Sequence, residues 1–212
     1  MTTGFTPLTS NLANFGADLP FFKPTDLDAG DNVRVAREYL SEQGALKGRR
    51  LPAGTVLVTC IGATIGKTGL AQVECATNQQ INAVSPRESV VEPRFLYRWT
   101  VSPLGRRQIV ENASSTTLPI INKSKFSALL VPLPPLAEQH RIVAEVDRRR
   151  SIVREVEAEV DANLKRAQAL RQAVLAKAFG GAVAPLPIVR LRLRADRPRA
   201  GVPRKGDRRE HR

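Results

Sequence analysis

At 212 residues, 42% of them hydrophobic, the chain is long enough for one moderate domain with an appendage or for two small domains. Only two cysteines (Cys60, Cys75) and two histidines (His140, His211) are present; the cysteines lack C-x-x-C spacing, so a disulfide framework, a metal centre or another cofactor is not expected and a reducing compartment is. The net charge of +13 points toward a polyanion, but 10 Lys+Arg against 3 Asp+Glu fall in residues 182–212, which leaves the remainder only modestly basic.

The opening MTTGFTPLTSNLANFG has neither the basic start nor the apolar middle of a signal, and no run of 18 apolar residues follows. A soluble, cytoplasmic protein with no membrane partner is the expectation. Residues 1–133 read as one mixed domain of short strands punctuated by Gly, Pro and Asn. Within it, TVLVTCI (55–61) has the composition of a strand.

GATIGKT (62–68) then resembles a phosphate-binding loop, G-x-x-x-x-G-K-[ST]. Only Ala63, Thr64 and Ile65 separate Gly62 from Gly66, one residue too few. The downstream TGLAQVECATNQQINAVSP alternates like strands, with apolar residues at Val73, Ile81 and Val84, where a phosphate loop requires a helix. A nucleotide hydrolase is therefore disfavoured, and Gly62, Gly66 and Gly69 read as a bent corner between strands with Lys67 pointing outward.

Helical spacing appears in EPRFLYRWTVSPLGRRQIVENA, interrupted by Pro103, and NKSKFSALL reads as a short turn or helix capped by Asn122. Arg49, Arg50, Arg106 and Arg107 read as solvated. The class is α+β, without the strand–helix alternation of a doubly wound fold.

Pro134 and Pro135 end this texture, and residues 134–181 read as one long helix closed by FGG, with no Pro or Gly between Leu136 and Phe179. With Val146, Val153, Val160, Ala167 and Val174 at heptad position a, the d positions are Ile142, Arg149, Val156, Asn163 and Leu170, so eight of ten are apolar. A helix about 65 Å long with one such stripe needs a partner helix, and residues 142–174 are the predicted helix-helix interface. The alternative is a helix lying on its own domain. Residues 182–212 read as a disordered basic tail, either touching nucleic acid non-specifically or a dispensable extension.

The ordered set LPAGTVLVTCIGATIGKTG, NQQINAV, FLYRW, SSTTLPIINKSKFSALLVPLPPLAEQHRIVAEV and LRQAVLAKAFGG resembles the specificity subunit of type I restriction-modification systems, over roughly Thr6 to Gly181. The resemblance implies a non-catalytic targeting subunit: a target recognition domain on double-stranded DNA, and a spacer helix. It also implies partners, namely modification (methyltransferase) subunits and, through them, the restriction subunit. Full-length members carry two such units with antiparallel helices and a further strand-forming segment before the TGFTP equivalent. This chain is then a half-length member pairing with a second copy, or a fragment.

Under that reading Lys67, Lys123 and Lys125 are candidate phosphate contacts, and Gln79, Gln80, Ser115 and Thr116 candidate base contacts, with Thr68 and Asn78 in the same loops. The competing reading makes TNQQ a strand-entry turn and SSTT an ordinary polar turn. A coiled-coil interaction protein, or a remnant that no longer binds DNA, is the alternative function.

Overall fold

The computed structural model describes residues 1–114 and 118–180. The α+β class holds. Strands β1 (Thr2–Thr3), β2 (Phe15–Phe22), β3 (Tyr39–Leu40), β4 (Val56–Thr59), β5 (Thr68–Leu70), β6 (Ala76–Thr77) and β7 (Ile81–Val84) form two sheets. The first has the order β1-β7-β4-β5, the second β3-β2-β6. Helices α1 (Glu42–Lys47), α2 (Pro93–Val101), α3 (Pro103–Glu111), α4 (Lys123–Ser127) and α5 (Leu136–Phe179) complete the described residues, with short 3-10 turns at Leu12–Asn14 and Asp26–Ala29.

β4 is the centre of the first sheet, and all four of its residues are buried. It pairs antiparallel with β5 (Val56 opposite Leu70) and with β7 (Val56 opposite Val84, Thr59 opposite Ile81). Side chains alternate across the pleat. Leu57 therefore enters a core with Phe22, Leu27, Val33 and Ile81, while Val56 and Val58 face Leu96, Tyr97, Ile109 and Phe126 from the helices and Ile121 from the segment before α4. A strand covered on both faces carries no polar alternation, which is why TVLVT reads as a continuous apolar run.

The helix boundaries follow local chemistry. Glu92 caps α2 by accepting from Phe95 N, with Pro93 at the first helical position. Ser102 closes α2 and opens α3, its Oγ accepting from Gly105 N at 3.1 Å. Asn122 caps α4 through Lys125 N at 2.9 Å. α5 begins directly after Pro134–Pro135 and runs 44 residues, the span expected from the absence of Pro and Gly.

Residues Met1–Glu155 form one compact unit; the chain from Val156 forms a second, whose described part continues α5. The first turns of α5 belong to the first compact unit, in part as the alternative of a helix on its own domain had it. Gln139 is fully buried, its Oε1 accepting from Glu92 N at 2.9 Å and its Nε2 donating to Val90 O (3.0 Å) and Pro134 O (2.8 Å). One turn on, Val143 is buried. Two turns on, Asp147 accepts from Arg98 Nη2 at 2.7 Å, and the same nitrogen donates to Asp31 at 2.6 Å. Gln139, Val143 and Asp147 follow the i, i+4, i+8 spacing of one helix face.

From Ile152 onward every large apolar side chain of α5 is exposed, Val153, Val156, Val160, Leu170 and Val174 among them. Ala167 is exposed too, whereas Ile142 and Val146 are half-buried. Among the described residues no helix is long and apolar enough to cross a membrane.

Candidate nucleic-acid interface

Three segments distant in sequence meet at the end of β4. Cys60 N donates to Gln80 O at 2.7 Å, and Ile121 N donates to Cys60 O at 2.9 Å. Ile61 bridges Ile120 in antiparallel fashion, and Gly62 N donates to Pro119 O at 2.9 Å. The cause is backbone pairing. Past Thr59 the β4 ladder has no regular strand on either side, so the N–H and C=O groups of 60–62 take partners from the loops before β7 and before α4.

The corner between β4 and β5 is two successive tight turns, Ile65 N donating to Gly62 O (3.1 Å) and Lys67 N to Thr64 O (3.0 Å). Gly62 and Gly66 adopt φ of 97° and 81°, a region that L side chains rarely enter. Ala63 and Thr64 stand exposed at the tip. A strand follows, not a helix, so no ring of helix N–H groups faces this loop and phosphate-loop geometry is absent here.

The N-terminal segment lies across the second loop. Gly4 N donates to Ile81 O and Phe5 N to Thr77 O, both at 2.9 Å. A Cβ on Gly4 would stand 2.1 Å from Asn78 O, so only glycine allows this approach. Thr6 Oγ1 donates to Gln79 Oε1 on the outer face.

The predicted contact residues separate by exposure. Gln79 is exposed on its loop, and Lys123 and Lys125 are exposed in α4. Lys123 is the first residue of α4, where the helix dipole favours anions, so helix stability does not account for it. Gln80 is half-buried, its Oε1 accepting from Asn78 Nδ2 at 2.8 Å.

Asn78 and Thr68 are internal instead. Asn78 is buried and its Oδ1 accepts from Gln80 N at 3.2 Å, as the strand-entry reading of TNQQ has it. Thr68 is buried in β5, its hydroxyl donating to Gly66 O at 3.1 Å. Neither presents a free polar edge to a base, because the sheet covers them and their polar atoms pair within the chain. Lys67 does not point freely outward: its Nζ is 2.6 Å from Asp28. Ser115, Thr116 and the predicted tail lie outside the described residues.

Of the four arginines read as solvated, three have partners. Arg49 donates to Thr2 Oγ1 (2.6 Å) and Thr3 O (3.0 Å), Arg50 pairs with Glu74, and Arg107 pairs with Glu111. Arg106 is exposed beside the corner, its Cγ 3.7 Å from where a Cβ on Gly66 would be, and it has no ion pair among the described residues.

Sequence reasoning also missed Arg98. Its side chain is only 7% exposed, and it holds Asp31 and Asp147, while Arg94 reaches the second oxygen of Asp147 at 2.7 Å. The one signal for it was a lone Arg inside the apolar run Phe95–Trp99. Burial pushes the Asp31 carboxyl up, but the hydrogen bond and charge of Arg98 outweigh it and hold the group below its ordinary value of 3.8.

Cys60 and Cys75 are free and buried. Burial pushes their thiols up to about 11 and about 12. The thiolate is the reactive form, so neither cysteine should react with a maleimide at pH 8 in the folded protein, and both should react in guanidinium. Prompt labelling of either in the native state would contradict the packing. Among the described residues, no group of three or more His, Cys, Asp or Glu side chains could hold a metal ion.

Residues 2–162 match the family model described as the type I restriction modification DNA specificity domain. The chain is 31% identical over 137 residues to the type I restriction enzyme EcoBI specificity subunit of Escherichia coli, and 38% identical over 96 residues to the EcoDI specificity subunit of the same species. These matches cover 64% and 45% of the chain but only 29% and 22% of the relatives. A chain solved in work on complex assembly and conformational transition of the type I R-M system superposes with a TM-score of 0.63 at 30% identity. The HsdS subunit from Thermoanaerobacter tengcongensis gives 0.57 at 28%. Each comparison covers 84% of this chain and 42% of the other, so the chain spans less than half the length of these relatives.

Proposed function

Because the chain belongs to the type I restriction modification DNA specificity family, we propose that it selects a DNA sequence for enzymes that act on it. It binds one half-site of double-stranded DNA through the unit at residues 1–133. It holds modification subunits there, and through them a restriction subunit. It contributes no catalytic group of its own. The observation that carries this reading is the convergence at Cys60, Ile61 and Gly62, which brings the β4–β5 corner, the 78–80 loop and the segment leading to α4 together at the end of β4.

The exposed residues there divide by chemistry. Lys123 and Lys125 present cations for backbone phosphates, which position a protein on DNA without reading sequence. Gln79 presents an amide with both donor and acceptor, the pairing suited to an adenine edge in the major groove. Lys123→Ala and Lys125→Ala should each weaken binding to all duplexes alike and lower the slope of log affinity against log salt by about 0.9. Gln79→Ala should weaken the preferred duplex selectively. If each lysine change leaves both affinity and salt slope untouched, α4 does not face the phosphates.

We further propose that residues 134–181 form the pairing helix and that a second copy of the chain supplies its partner. An antiparallel pair centred on Ala158 sets Val146 against Leu170, Val153 against Asn163, Val160 against Val156, Ala167 against Arg149, and Val174 against Ile142. In this register the long Arg149 side chain meets the smallest seam residue, Ala167. All ten seam positions of each copy are then matched, and two recognition units stand at opposite ends of the pair, as a bipartite site requires.

A further inference from the structure

Lys67 and Arg106 flank the same corner, yet only Arg106 lacks an ion pair among the described residues. Lys67 Nζ is 2.6 Å from Asp28 Oδ1, with 23% of the lysine side chain exposed against 76% of the aspartate side chain. The lysine is held in place by its backbone: its N–H donates to Thr64 O and its carbonyl accepts from Thr59 N at 2.8 Å. The carboxylate comes from the 3-10 turn Asp26–Ala29, anchored by buried Leu27 and by Asp26, which accepts from Lys23 N at 2.7 Å. Thus a fixed cation and an exposed anion, brought together from positions 39 residues apart in the chain, cancel beside the β4–β5 corner, while Arg106 beside Gly66 has no ion pair among the described residues.

We propose that Asp28 occupies, in the free protein, the place that a DNA phosphate takes on Lys67, so that this lysine engages DNA only by exchanging one oxyanion for another. The inference rests on the DNA-binding reading above. A carboxylate and a phosphate oxygen both accept charge-assisted hydrogen bonds from an ammonium, so the exchange needs no new geometry at the lysine. Because a cation already neutralised contributes little to non-specific attraction, the guard lowers affinity for all DNA. Only a duplex seated closely against the corner, with Arg106 on a neighbouring phosphate, displaces Asp28.

The test is a double-mutant cycle on the full chain, read by fluorescence anisotropy with a mixed-sequence duplex at several salt concentrations. Asp28→Asn should raise affinity about two- to fivefold, the scale of releasing one ion-paired lysine. In a Lys67→Gln background the same change should give a clearly smaller gain, from the lost like charge alone, and Asp28→Asn in the wild-type background should raise the salt slope by about 0.9, because the freed lysine now neutralises a phosphate. An equal gain from Asp28→Asn in both backgrounds would mean that the aspartate acts only as a distant like charge, and it overturns the proposal. So does no gain in either, when the wild-type chain binds with a normal salt slope. A wild-type chain that binds no duplex at 50 mM salt overturns the DNA-binding reading itself, and this inference with it. Unchanged thermal unfolding of Asp28→Asn confirms that the comparison is between folded proteins.

Discussion

Val160→Asp is expected to convert the proposed antiparallel pair to a monomer while the compact unit Met1–Glu155 stays folded. Val160 is 59% exposed in the single chain, so a carboxylate there disturbs no core within it. In the antiparallel pair Val160 lies two residues from the centre and packs on Val156 of the second copy, and symmetry places two such layers side by side. Burying a valine contributes about 1.5 kcal/mol or more, and burying an unpaired carboxylate costs several times that. The substitution enters the interface twice, so the loss exceeds what one apolar seam on a single helix pair can absorb. Light scattering of wild type, Val160→Asp and Val160→Leu tests this, the leucine keeping the seam apolar. A variant aspartate chain that keeps the wild-type mass means that the exposed stripe is not the pairing surface.

The second large effect is expected at Arg98 of α2, which holds Asp147 on the first turns of α5. Arg98→Leu should destabilise the protein by about 2–3 kcal/mol, the usual loss for charged hydrogen bonds whose partners stay in place. It leaves Asp31 without its cation and Asp147 with only the more exposed Arg94. The pH dependence gives the sign. In the wild type Arg98 holds the Asp31 carboxyl below 3.8, so the stabilisation it supplies is present above that pH and is lost as pH falls through the lowered value. In Arg98→Leu the burial is opposed only by the charge of Arg150 and a backbone hydrogen bond, so the carboxyl moves up and its charged form is penalised more at neutral pH. The deficit should therefore be largest near pH 7 and shrink below about pH 4 as the carboxyl protonates in both proteins. Guanidinium denaturation at the two pH values measures it. A deficit that is the same at both would assign Arg98 a packing role, with its charge incidental.

The long helix was the most legible element. Its start at Pro134–Pro135, its stop at Phe179 and its heptad stripe all rest on residues within a turn of one another, and the described helix spans Leu136–Phe179 as read. The break at Pro103 and the Asn122 cap were legible for the same reason. The docking of the first turns of α5 was not. Gln139 is an unremarkable polar residue in sequence, and only the carbonyls of Val90 and Pro134 together with the N–H of Glu92 make it a buried anchor.

For the candidate interface, residue chemistry marked loops that the fold brings together but not which of their side chains are available. Lys67, Thr68 and Asn78 have the composition of a binding loop, yet Asp28, the β5 interior and Gln80 already occupy them, whereas Arg106 stands open beside the corner.

By itself, then, the sequence determined the strand at β4 and the strand after the glycine corner, the helical segment broken at Pro103, the Asn122 cap and the long helix with its apolar stripe, because propensity, capping and periodicity act over a few neighbouring residues. Tertiary structure alone decided which polar residues share a surface. That choice follows from pairings between distant segments, Thr2 with Ala83, Cys60 with Gln80 and Ile121, Lys67 with Asp28, and no local pattern encodes which distant group will satisfy a given donor or charge.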